Sequence, residues 1–137
     1  MRTILRGITL SAALALLAST AMAGPPSGPL TKCPADAVVS GTVCMDKYEA
    51  SVWRVPFPTT TNKSLVKKIQ QGKATAANLA AGGATQLGIG FTDDYAPCAD
   101  SGQNCANDIY AVSLPAVPPS ANVTWFQAQA ACKNARK

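Results

Sequence analysis

The longest apolar stretch of this chain lies near its start, from Ile8 to Leu17, interrupted only by Thr9 and Ser11. Arg2 and Arg6 precede it and Ala21-Met22-Ala23 closes it. Positive start, short apolar middle and small-x-small end predict a signal peptide over residues 1–23, cut before Gly24. The run is shorter than the roughly 20 residues that span a bilayer, so no membrane span is expected after its removal. Gly24 to Lys32 is a Pro/Gly-rich leader without apolar periodicity. Beyond Cys33 the blocks are short. Val38-Val39 and Thr42-Val43 flank a Ser40-Gly41 turn, which predicts a hairpin. Val52-Trp53-Arg54-Val55 predicts a strand that ends at Pro56. Leu65, Val66 and Ile69 predict a helix capped by Ser64 and stopped at Gly72, and Thr75 caps a second one that ends at Gly82-Gly83. Residues 92 to 108 are polar loop. After Ile109 to Leu114 and three prolines comes the strongest local signal, Thr124-Trp125-Phe126-Gln127. In this capping box the threonine oxygen and the glutamine side chain each satisfy an orphan N–H. Trp125, Ala128, Ala131, Cys132 and Ala135 follow at helical spacing and predict its buried face. No C-cap glycine or proline stop follows that helix.

Short strands, two or three short helices and much irregular chain predict an α+β domain. Removing 23 of the 137 residues leaves 114, enough for one domain with a modest core. Staples are therefore expected, and five cysteines supply them: Cys33, Cys44, Cys98, Cys105 and Cys132. Export predicts disulfides, and a periplasmic or secreted location. Five thiols allow more than one pairing of two bridges. Nearest neighbours in sequence give Cys33–Cys44 and Cys98–Cys105, with Cys132 unpaired, and each short loop closed would contribute roughly 2–3 kcal/mol.

Charge changes the picture little. Of 12 Lys and Arg, two lie in the signal peptide, leaving ten against seven acids. Lys63, Lys67, Lys68 and Lys73 form the only concentration, without interleaved aromatics, and read as solvated helix faces rather than a nucleic-acid surface. The chain has no histidine, which excludes a Ser-His-Asp triad, a Cys-His dyad and histidine-bound iron. No Cys-x-x-Cys suggests zinc. Asp93, Asp94, Asp100, Asn104, Asn107 and Asp108 carry the oxygen ligands a calcium ion takes, but in no EF-hand spacing. Asn62-Lys63-Ser64 and Asn122-Val123-Thr124 are formal glycosylation sequons. Trp53 and Trp125 sit among core-like neighbours and read as core residues.

The segment from Val123 to Lys137, with Val123-Thr124-Trp125, Ala128 and Cys132, resembles a segment of the formylglycine-generating enzyme (sulfatase-modifying factor) family. Cys44-Met45-Asp46-Lys47-Tyr48-Glu49-Ala50-Ser51 is similar to that family's first strand, and Tyr110 to Pro115 to the approach to its Val-Ser-Trp helix. The likeness covers residues 33–56 and 109–137, with 57–108 as an insertion. It implies the N-terminal part of a loop-rich, C-type-lectin-like domain, from a lineage of oxidoreductases acting on protein cysteine. Ala131, Asn134 and Arg136 depart from the family's Tyr, Trp and Gly. Copper and calcium are implied only for a full-length relative, because no position here matches the family's catalytic, cofactor-binding or metal residues. The family's helix cysteine pairs with a distant C-terminal one, which again leaves Cys132 unpaired. The resemblance thus implies a fragment of the enzyme domain. The other expectation is a non-catalytic exported module that binds a protein or a glycan.

Overall fold

A computed structural model describes residues 32–90, 94–105 and 107–137. The expected signal peptide, most of the leader over 24–32, and Asp93 lie outside the described residues. In chain order the elements are β1 (Ala37–Ser40), β2 (Val43–Asp46), β3 (Ala50–Arg54), α1 (Lys63–Gln70), α2 (Ala76–Ala81), β4 (Thr85–Leu87), β5 (Ile109–Ser113) and α3 (Trp125–Ala135). The fold is α+β, with two small antiparallel sheets.

β1 and β2 form a hairpin in which Ser40 faces Val43, so the two-residue loop is Gly41-Thr42, one residue later than expected. Gly41 has φ 61°, the left-handed value that glycine adopts without a Cβ penalty at the first central position of such a turn. The hairpin packs little. Val38, Val39, Val43 and Met45 are exposed along it, and Cys33–Cys44 ties its flank.

The second sheet holds the core. β3 is central, between β4 and β5, with Val52 opposite both Leu87 and Ala111. Every residue of β5 is buried, with β3 paired alongside it and α3 packed against it. Its polar member, Ser113, is satisfied: the hydroxyl accepts the Tyr48 N–H at 3.0 Å and donates to the Tyr48 carbonyl at 3.1 Å. Ser51 does the same work on β3, donating to the Val112 carbonyl and accepting the Trp53 indole N–H. Trp53 is partly buried against the core.

Helix α1 starts at Lys63, not after Ser64. Asn62 takes the cap position, and its side chain instead donates to the Pro56 and Gly82 carbonyls at 2.7 and 3.0 Å, tying the helix entry to the end of α2. Leu65 and Ile69 are buried and Val66 packs at the edge, as their spacing predicts. Thr75 caps α2 by accepting the Asn78 N–H. Among the described residues no helix is long and apolar enough to cross a membrane. The two disulfides fit an oxidising compartment.

Candidate functional site

The capping box that opens α3 is complete: the Thr124 hydroxyl accepts the Gln127 N–H at 3.3 Å, and Gln127 Oε1 accepts the Thr124 N–H at 3.0 Å. Gln127 does more than cap. It is 0% exposed, and its Nε2 donates to the Cys98 carbonyl at 3.0 Å and to Asp100 Oδ1 at 3.3 Å. The helix start is thereby fastened to the loop closed by Cys98–Cys105. Thr124 adds a hydroxyl bond to the Asp100 carbonyl at 2.8 Å. Arg54 holds the chain on either side of that loop, donating to the carbonyls of Asp94, Tyr95 and Ala96 with Asp108 3.5 Å from its Nε.

This anchoring fixes which way α3 faces, and Trp125 is not in the core. The buried edge is Gln127, Ala131 and Ala135, each one helical turn from the next, lying against β5. At 3.6 residues per turn Trp125 points about 120° away from the middle of that edge. It is 69% exposed, and Phe126 is 51% exposed. Their rings meet edge to face with centroids 5.2 Å apart. Beside Phe126 runs an open groove of about 640 Å³, lined by Ser101, Gly102, Gln129, Cys132 and Lys133 among others. Gly102 is pressed close to Phe126, so that any side chain at 102 would meet the Phe126 Cβ.

The helix ends in a full stop that the sequence does not advertise. Arg136 is left-handed (φ 62°), the Arg136 N–H bonds to the Lys133 carbonyl and the Lys137 N–H to the Cys132 carbonyl. That is the two-bond Schellman pattern, with arginine where glycine is usual. Lys137 then turns inward, its Nζ 2.7 Å from Asp36 Oδ2 and 2.5 Å from Asp46 Oδ1. Asp36 is 8% exposed, and its other oxygen is buried without a hydrogen-bond partner.

Cys33 is joined to Cys44, Cys98 to Cys105, and Cys132 is a half-buried free thiol. Burial, then the charge of Asp46, push the Cys132 thiol above its ordinary 9.0, against a smaller lowering by Lys137. Such a thiol is a poor nucleophile at neutral pH. A copper site of paired cysteines does not fit the described residues, because four of the five cysteine sulfurs are in disulfides. The acidic-loop residues do not converge either. Asp94 accepts the Gly88 N–H, Asp100 faces Gln127, Asp108 faces Arg54, the Asn107 carbonyl accepts the Tyr110 hydroxyl, and Asn104 is exposed. Among the described residues no group of three or more acids and cysteines is placed to hold a metal. Of the sequon asparagines, Asn62 is committed to two carbonyls, and Asn122 is exposed with one bond to the Gly90 carbonyl. Lys63, Lys67, Lys68 and Lys73 are all exposed.

No family model, no curated protein and no solved structure matches the chain.

Proposed function

We propose that residues 33–137 form an extracytoplasmic domain, periplasmic or secreted, of formylglycine-generating-enzyme lineage. Its described surface binds a glycan or a protein along the aromatic edge of α3. The observation that carries the binding role is Trp125, 69% exposed and packed edge to face on Phe126, which lines the groove. An aromatic pair left in water forgoes the burial its large apolar area offers in folding, and paired exposed aromatics are a common mark of recognition surfaces. The lineage rests on the sequence resemblance.

Titration with defined neutral and acidic oligosaccharides tests the glycan reading, with Trp125 fluorescence as readout in a Trp53→Phe background. A saturable change is expected, and calorimetric titration of Trp125→Ala, which needs no fluorophore, should show the binding of the same oligosaccharide lost. No saturable change with any of them would remove glycans as the partner. The competing activity is oxidation of a protein cysteine by residues 24–137 themselves. Incubated with copper and a cysteine-containing sulfatase-type peptide, they are expected to leave the peptide's mass unchanged. Time-dependent conversion of that cysteine to an aldehyde would replace the binding role with an enzymatic one.

A further inference from the structure

Lys137 borders two cavities, one holding the free thiol and the other a cysteine of one disulfide. Its side chain is 15% exposed and its ammonium is held by Asp36 and Asp46. On one side Lys137 lines the groove that holds Cys132. On the other it lines a second cavity, of about 270 Å³, together with Pro34, Asp36, Cys44 and Asp46. Lys137 thus borders both the groove that holds Cys132 and the cavity that holds Cys44. Cys44 and Asp46 are two residues apart on β2, so their side chains leave the same face roughly 7 Å apart. Asp46 and Lys137 both act electrostatically on Cys132. Thiol, ammonium, carboxylate and disulfide therefore share one neighbourhood, although Cys132 and Cys44 are 88 positions apart in the chain.

We propose that Lys137 is a gate: held by Asp36 and Asp46 it separates Cys132 from the Cys33–Cys44 disulfide, and once released it lets that thiol exchange with that disulfide. Cys132 gives its proton to solvent and its thiolate attacks the Cys44 sulfur. The Cys44–Cys132 bond forms as the Cys33–Cys44 bond breaks. The electron pair leaves on Cys33, which takes up a proton. One disulfide and one thiol are present before and after, so the step needs no oxidant or reductant. Its consequence is structural: β2 becomes tied to α3, and the segment around Cys33 is freed from the hairpin. In the closed arrangement the wall blocks approach, while burial and Asp46 keep the attacker protonated, and exchange depends on thiolate and on access.

Two variants of the exported chain open the gate differently. Asp36→Asn with Asp46→Asn replaces both carboxylates that hold Lys137 by neutral amides, and so removes the charge that opposes thiolate formation. Lys137→Ala removes the wall itself. Each is held oxygen-free at mildly alkaline pH, quenched in acid, alkylated and mapped without reduction. In wild type the label is expected on Cys132. In both variants it moves to Cys33, with a Cys44–Cys132 peptide appearing at least about tenfold faster than in wild type, while Cys98–Cys105 stays intact. Lys137→Arg keeps the wild-type pattern. Label that stays on Cys132 in both variants overturns the proposal. So does scrambling that draws in Cys98 or Cys105, since that reports loss of the fold rather than a local gate.

Discussion

Replacing Gln127 with leucine asks how much of the stability depends on one polar side chain. The change keeps the size and removes three hydrogen bonds: to the Cys98 carbonyl, to Asp100 Oδ1 and from the Thr124 N–H. Asp100 is exposed and water replaces its lost donor, so that bond counts for little. The Cys98 carbonyl lies at a fully buried side chain, and the Thr124 N–H is half-buried. A buried polar group left without a partner costs about 1–3 kcal/mol. Two such groups, less about 1 kcal/mol for the added apolar burial, put Gln127→Leu about 1–5 kcal/mol below wild type. Gln127→Glu keeps the acceptor but places a carboxylate beside the Cys98 carbonyl and Asp100, and should be destabilised at least as much at neutral pH. Urea unfolding with the disulfides intact reads the difference. At a slope of about 2 kcal/mol per molar, the midpoint falls by about 0.5–2.5 M. Gln129→Leu, on the exposed side of the same helix, should stay within about 0.5 kcal/mol. If Gln127→Leu unfolds at the wild-type midpoint, Gln127 does not anchor the loop, and the orientation assigned to α3 loses its cause.

Stability should fall at alkaline pH. Burial and Asp46 raise Cys132, and burial and Asp108 raise Tyr110, so the folded chain holds these protons more tightly than the unfolded one. Their contribution is complete below the ordinary values of 9.0 and 10.0 and is lost as pH rises through the folded ones. Cys132→Ala and Tyr110→Phe should each flatten that decline in a thermal melt, and an unchanged slope in both would contradict it. Gly72→Ala and Gly41→Ala separate strain from collision. Both glycines have positive φ, but a Cβ at 72 strikes Asp36 while one at 41 meets open space. Gly41→Ala should cost about 1 kcal/mol and Gly72→Ala clearly more, and equal urea midpoints would refute the packing of Asp36 on Gly72.

The parts legible in the sequence are those set by neighbours a few residues away. The Thr124 and Thr75 caps, the hairpin and the buried Leu65 and Ile69 all follow from local chemistry. The sidedness of α3 does not. Its apolar positions are mostly alanines spread around the helix, so Trp125 dominates any reading of periodicity, whereas the bonds of Gln127 to a loop 29 residues earlier decide the face. Ser64 reads as a cap because serine caps helices, but the carbonyls of Pro56 and Gly82 draw in Asn62 and move the start. The α3 terminus lacks the glycine that marks a Schellman stop, and arginine takes that conformation instead. The Lys137–Asp36–Asp46 cluster spans 101 and 91 residues and leaves no local trace.

The account turns on which side of α3 faces water, and the solvent access of Trp125 tests it most directly. In a Trp53→Phe chain, Trp125 is the sole emitter, and acrylamide quenching reports how open it is. The structure predicts strong quenching in the folded protein that rises only slightly when urea unfolds it, since Trp125 is already 69% exposed. Weak quenching that climbs several-fold on unfolding would put Trp125 in the core. The aromatic edge and the binding role proposed for it would then both be wrong.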